Sequence, residues 1–305
     1  MLAFVVRRVL LFVPTLLAIA TLTFFMMRLA PGGPFQSEKD IPKSALAQLQ
    51  RQYGLDRPLG VQYLNFLRNA AHLDFGPSYK FPTRSVREII LEAFPVSLEL
   101  GAWALLLSIL VGVPIGMFAA LRQNTPLDFA AMACALAGVS IPNFVLGPVL
   151  VLTLSLGLFL FPPALWQGPQ SRVLPVLTLS TAYIAYIARL TRAGMLEVLR
   201  QDFIRTAFAK GLSDRVVIFK HALKLGILPV VSYIGPATAR VIMGSIVVET
   251  IFAIPGLGRH LVNGAFNRDY TLVMGVVLFY ATFLMLLNLL VDLAYTWLDP
   301  RVELA

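Results

Sequence analysis

Six apolar runs of roughly bilayer length constrain this 305-residue chain more than any other feature. They fall at 9–29, 98–121, 129–161, 173–188 (extending into Arg189 and Leu190), 225–254 and 272–298. A hydrocarbon core of about 30 Å needs about 20 apolar residues of helix. With 58% hydrophobic and 13% charged residues, the chain has too little polar surface for a soluble protein of its size. The expected class is therefore all-α, a polytopic membrane protein with six transmembrane helices. Pro14, Pro114, Pro142, Pro148, Pro175 and Pro236 fall inside the runs. Membrane helices tolerate proline when neighbours satisfy the freed carbonyls, so a packed, kinked bundle is expected. The third run is long enough to tilt or to include a bent end.

Charge sets the orientation. The chain carries 25 basic and 16 acidic residues, a net +9. In a soluble protein this balance raises nucleic acid as a partner; in a membrane protein, Lys and Arg collect in cytoplasmic loops instead. No nucleic-acid partner is expected. Arg7 and Arg8 precede the first run, Arg122 follows the second, and residues 189–224 hold eight basic residues against three acids. Both termini and the 189–224 segment are expected in the cytoplasm, in a multi-pass membrane protein. The apolar run after Arg8 is too long for the hydrophobic region of a signal peptide, so it is expected to remain as the first transmembrane helix.

Residues 31–95 carry eight basic and six acidic residues and are placed outside. KSALAQLQRQYG reads as a helix stopped by Gly54. RPLGVQYLNFLRNAAHL repeats apolar residues at Leu59, Tyr63, Phe66, Leu67 and Ala70. Ser85 and Glu88 form an S-x-x-E capping box. Two arrangements fit: a small extracytoplasmic helical cap over the mouth of the bundle, or interfacial helices lying on the lipid.

Several chemistries have no sequence support. No phosphate-binding G-x-x-x-x-G-K-[ST] loop, H-E-x-x-H, G-x-S-x-G or dinucleotide fingerprint occurs. His72, His221 and His260 are far apart, and Cys134 is the only cysteine. No catalytic residue, metal or bound cofactor is expected on this chain. Ionisable residues within spans point to function. Arg240 lies deep in one, whereas Glu99, Glu249 and Asp292 lie nearer span ends. This scarcity of buried acids argues against a proton-coupled secondary carrier or channel, the alternative from a different class.

One basic segment demands explanation. FIRTAFAKGLSDRVVIFKHALKLGILP, residues 203–229, spaces Arg205, Lys210, Arg215, Lys220 and Lys224 among apolar residues. Gly211 divides it into two helical stretches, with Ser213 positioned to cap the second and Val216, Val217, Phe219 and Leu223 as its apolar contacts. The result is an elbow too polar to enter lipid.

The elbow resembles the EAA loop of ABC-importer permeases: Arg205-Thr206-Ala207, three residues, then Gly211, with Ile227-Leu228-Pro229 beyond. Arg-Thr-Ala stands where Glu-Ala-Ala is usual, and the interval from glycine to proline is longer. Both departures resemble the peptide branch, as does His221-Ala222-Leu223. FFMMRLAPGGPF (24–35), DFGPSYKF (74–81), FPVSLELG (94–101), ETIFAIPGLG (249–258) and NRDYTLVMG (267–275) resemble, in the same order, the B-type permease subunit of dipeptide and oligopeptide importers, most of all the oligopeptide branch.

The resemblance implies a type I ABC-importer permease arrangement in the bacterial cytoplasmic (inner) membrane. Its partners would be a second homologous permease subunit, two cytoplasmic ATPase subunits carrying ATP and Mg, an extracytoplasmic peptide-binding protein and membrane lipid. Arg205, Ala207, Lys210, Gly211, Leu212 and Asp214 would contact an ATPase. Glu249, Pro255, Gly256 and Gly258 would form an outer-gate segment, with Arg240, Asn143 and Tyr183 along the translocation path. The expected organisation is a first helix (1–30), an extracytoplasmic region (31–95), a five-helix core (96–299) containing the coupling loop (about 193–224), and a cytoplasmic tail (300–305). Cargo alternatives are dipeptides, glutathione, nickel or an antimicrobial peptide.

Overall fold

The computed structural model describes residues 2–29, 33–35 and 43–298. The expected tail at 300–305 and parts of the 31–95 region lie outside them. Among the described residues the structure is helical, with one isolated bridge between Pro77 and Ser85.

The chain opens with α1 (Leu2–Leu29). α2 (Lys43–Gln52) stops before Gly54, whose φ of +63° gives the left-handed turn that glycine adopts without a steric penalty. α3 (Leu59–Ala71) follows. The Ser85–Glu88 capping box then opens α4 (Val86–Leu121): Ser85 N–H donates to Glu88 Oε2 at 3.0 Å, and Glu88 N–H donates to Ser85 Oγ at 3.2 Å. At 36 residues α4 is roughly 54 Å long, so it outruns the hydrocarbon core.

The third apolar run is broken. α5 (Pro126–Ser140) and α6 (Asn143–Leu150), which continues as a π-helical turn at Val151–Gly157, are bent by 102°. Ile141 is extended (φ −88°, ψ 114°), the conformation that a following proline favours, and Pro142 supplies it. α7 (Pro169–Leu199) runs nine residues past Leu190, the expected end of the fourth span. The elbow comprises α8 (Asp202–Ala209), α9 (Asp214–Val216), a π-helical turn (Val217–Ala222) and α10 (Leu223–Gly226). α11 (Leu228–Ile251), α12 (Leu257–Phe266) and α13 (Tyr270–Leu298) complete the described residues. Among the described residues, five helices are long and apolar enough to cross a membrane, and the bent α5–α6 pair makes a sixth if counted as one span.

The fold separates into two compact units, Met1–Val96 with Pro255–Ala305, and Ser97–Ile254. In the first, Phe24, Phe35, Tyr79, Tyr270 and Met274 form a buried cluster bordered by Tyr53, Tyr63 and Phe66. Asp269 is fully buried beside it, where it accepts hydrogen bonds from Ser78 Oγ and from the backbone N–H groups of Tyr79 and Leu272. Burial, opposed by Arg28 and reinforced by Asp269, pushes the Tyr79 hydroxyl up to about 12. Arg8 of α1 pairs with Asp292 of α13 at 2.9 Å.

In the second unit α7 is central, with α5, α6, α10 and α11 packed on it. α4 joins through Gly112 and Gly116, a small-xxx-small pair. A Cβ on Gly116 would stand 2.2 Å from the Ala188 carbonyl oxygen, so the two helices touch backbone to backbone.

Candidate functional site

The elbow begins where α7 ends, at Arg200 and Gln201. α8 is amphipathic: Ile204 and Ala207 are buried, whereas Phe203, Arg205 and Phe208 are exposed. Gly211 has φ +78° and its N–H donates to the Phe208 carbonyl at 2.9 Å, closing α8 as a left-handed C-terminal residue does. A Cβ on Gly211 would meet no atom within 4 Å, so the backbone angle alone accounts for the glycine.

The second arm departs from the expected register. Val217 and Leu223 face inward as anticipated, but Val216 and Phe219 are exposed, and Ala222 is buried instead. The cause is the π-helical turn, whose longer i→i+5 closure puts Val217 and Ala222 on one side. Ser213 occupies the N-cap position, but its side chain makes no cap hydrogen bond.

Two contacts root the elbow. Ile204, Ala207, Val217 and Ala222 form one buried cluster with Met195 and Val198 of α7 and Ala120 of α4. In addition, Gly194 of α7 meets Gly226 at the base of the second arm; a Cβ on Gly194 would lie 2.3 Å from the Gly226 carbonyl oxygen. The inward side is therefore tied to the two helices, while Arg205, Lys210, Gly211, Leu212, Asp214 and Arg215 project outward. Ala207 is not among them. Its small side chain lets α8 sit close to α7, so the expected partner-facing position is an internal packing one.

A charged tie supports the same end of α7. Arg192 donates from Nε to Asp128 Oδ1 and from Nη2 to Asp128 Oδ2, both at 2.7 Å. Asn124 N–H donates to Asp128 Oδ2 at 3.0 Å, and Thr125 caps α5 one turn earlier. Sequence reasoning missed this pair. The T-P-x-D signature at Thr125–Asp128 marked a helix start with an acid in its first turn. Arg192 lies beyond Leu190, the expected end of the fourth span, on the part of α7 that apolar length does not announce.

The residues expected along a path are distributed over α6, α7 and α11. Arg240 is exposed on α11, in line with Ser232, Pro236, Met243 and Val247, which are also exposed. Tyr186 of α7 stands 6.0 Å from the Tyr233 ring, and Arg189 lies 4.8 Å over Tyr186. Arg240 is within Coulombic reach of Tyr183 and Tyr233, so these α7 and α11 residues share one cationic, aromatic patch. Asn143 is half-buried in the first turn of α6.

Glu249 is fully buried within the protein, and Ser245 Oγ donates to its Oε1 at 2.6 Å. α11 stops before Pro255, with Ala253 at φ +52° and Ile254 N–H reaching back to the Glu249 carbonyl at 2.9 Å. Gly256 is the N-cap of α12, and Gly258 is buried in its first turn. A second missed cluster joins Glu99, Arg172 and Trp166: Arg172 Nε lies 2.9 Å from Glu99 Oε1, and Trp166 Nε1 donates to Glu99 Oε2 at 3.2 Å.

Comparison with known proteins places this geometry. Residues 112–304 match the family described as binding-protein-dependent transport system inner membrane component, and residues 1–101 match its N-terminal companion. The oligopeptide transport system permease protein OppB of Salmonella typhimurium is 47% identical over 305 residues, covering 99% of this chain and 100% of that protein. The dipeptide transport system permease protein DppB of Bacillus subtilis is 46% identical over 290 residues, covering 95% and 94%. A crystal structure of an amino acid ABC transporter with histidines superposes with a TM-score of 0.54 at 16% identity, over 68% of this chain and 92% of that one, which supports the fold alone. An apolar multi-helix bundle with an exposed elbow, matched along its length by such relatives, is a multi-pass inner-membrane transport subunit: the chain belongs to the permease family of binding-protein-dependent ABC importers.

Proposed function

We propose that this chain forms half of the translocation pathway of an ATP-driven peptide importer. A second, homologous permease supplies the other half, and an extracytoplasmic binding protein delivers the peptide. ATP and Mg act on two separate ATPase subunits, one of which seats the elbow around Gly211. Both chain termini and the elbow then lie in the cytoplasm, in keeping with the basic excess of residues 189–224. The proposal of peptide cargo rests on the similarity to an oligopeptide and a dipeptide permease protein.

The observation that carries this reading is the elbow's two-sidedness. One side is fixed to α7 and α4 by a buried cluster and a glycine–glycine contact. The other presents Phe208 and Leu212 among Arg205, Lys210 and Asp214. A joint rooted this firmly transmits displacement of a docked protein into the bundle as rigid-body motion. The direction of that motion is set by the differential affinity of ATP for the two states of its ATPases. The patch of Tyr183, Tyr186, Tyr233 and Arg240 suits a peptide path, since an intramembrane arginine facing acyl chains is costly.

The test is transport by the purified assembly in proteoliposomes, with Leu212→Glu and the pair Arg205→Glu, Lys210→Glu. These residues are exposed, so the bundle should fold normally. Peptide uptake should fall while ATP hydrolysis persists or the ATPases fail to co-purify. Wild-type uptake by these variants rejects the coupling assignment. Uptake by the chain alone, driven by a proton or sodium gradient, rejects the ABC mechanism. Competition among peptides of graded length, glutathione and nickel identifies the cargo.

A further inference from the structure

α3 has three distinct sides. One faces α1: the Tyr63 hydroxyl and Thr21 Oγ1 are 2.6 Å apart, Phe66 stacks on Phe24 at 5.9 Å, and Gln62 Oε1 accepts from Arg28 Nε and Nη2 at 3.0 and 2.8 Å. A second side carries Asn65 and Asn69, both exposed. On the third, helical spacing groups Val61, Leu64 and Arg68 on one arc. Leu64 is 65% exposed, as is Leu73 just past the helix.

Single exposed apolar residues need no explanation. These adjoin a surface that does. Leu22, Met26 and Leu29 of α1 are 63%, 69% and 80% exposed on a helix long and apolar enough to span a bilayer. Phe25, exposed on the same helix, lies 5.8 Å from the Tyr63 ring, so the lipid-facing surface of α1 continues onto α3.

The depth is fixed by charge. Between Arg8 and Arg28 the helix has no ionisable residue. That interval is roughly 30 Å of helix, the thickness of the hydrocarbon core. Arg28 therefore stands at headgroup level, and Thr21 lies roughly 10 Å deeper. α3 touches α1 between these two levels, the depth at which amphipathic interfacial helices rest, about 5–10 Å into the headgroup–acyl boundary.

We propose that α3 is a lipid-anchored interfacial helix in the leaflet where α1 ends. Val61, Leu64 and Leu73 enter the acyl layer, Arg57 and Arg68 reach lipid phosphates, and Asn65 and Asn69 face water. Long arginine side chains achieve this by laying their stems along apolar surface with the charge in the headgroups. The region is thereby held at a set depth by lipid as well as by α1.

The test uses the full chain, with its co-purifying subunits, in nanodiscs of phosphatidylethanolamine and phosphatidylglycerol. Nitroxide labels are placed at Leu64→Cys and Asn69→Cys after replacing Cys134, which is exposed. Both sites are exposed, so folding should persist. The label at Leu64 should be several-fold more accessible to oxygen than to a water-soluble nickel chelate, and the label at Asn69 the reverse. Equal, chelate-dominated access at both sites overturns the proposal. So does a Leu64 label shielded from both reagents, which indicates that protein covers this face.

Discussion

Arg192 grips Asp128 with two parallel hydrogen bonds of 2.7 Å, and the two partners are unequally buried. Asp128 is 1% exposed, whereas the Arg192 side chain retains 26%. The bond ties the first turn of α5 to α7, four residues before Leu196 packs against the cluster beneath the elbow. Its geometry makes the two halves of the pair inequivalent.

Removing Arg192 should therefore destabilise more than removing Asp128. Arg192→Ala takes two charge-assisted donors from the more buried partner and leaves the Asp128 carboxylate leaning on the Asn124 N–H. Asp128→Ala leaves a guanidinium that still reaches solvent, so its cost should be smaller. The double variant should recover part of the Arg192→Ala loss. Thermal melting of the purified protein measures all three; equal losses for the two single variants would show that the burial asymmetry does not matter.

Gly194→Ala tests the root of the elbow. The added methyl would lie 2.3 Å from the Gly226 carbonyl oxygen, and Cβ and backbone have no slack. Overpacking of this kind costs about 1–3 kcal/mol. The second arm should lift from α7, raising hydrogen exchange across residues 214–226. Unchanged exchange there would mean that the helices separate without loosening the elbow.

Gly211→Ala isolates a different cause. The site is sterically open, but φ is +78°, and a left-handed L-residue costs about 1–2 kcal/mol. Asparagine visits this region more readily, so Gly211→Asn should be the milder change. Limited proteolysis at the elbow should rank wild type, Asn, then Ala in increasing susceptibility. Wild-type behaviour of Gly211→Ala would remove the backbone argument for glycine.

The features legible in the sequence were those with local causes. The apolar runs announced the spans, Gly54 and Gly211 announced turns, and Ser85–Glu88 announced the start of α4, because each depends on residues within a few positions. What was hidden depends on tertiary partners. The outward turn of Val216 and Phe219 comes from a π-helical turn that no apolar period announces. Ala207 looked like a docking position because it is small, yet its size serves a contact with α7 and α4. The sequence places Glu249 near a span end, and only packing reveals a buried carboxylate held by Ser245.

His260 gives a pH-dependent prediction. It lies on α12, outside the spans, and burial lowers its pKa below the ordinary imidazole value, with Arg84 and Arg259 adding to the effect and Glu92 opposing it. The unfolded chain then binds a proton more readily than the folded one. Stability contributed by neutral His260 is fully present above the unfolded pKa of about 6.5 and is lost as pH falls from there through the folded value. Melting temperature should decline on acidification below pH ~6.5 in the wild type. His260→Gln, which cannot take up the proton, should remove that part of the decline while leaving neutral-pH stability close to wild type. Identical melting profiles for the two proteins from neutral pH downward would assign the acid sensitivity to other groups.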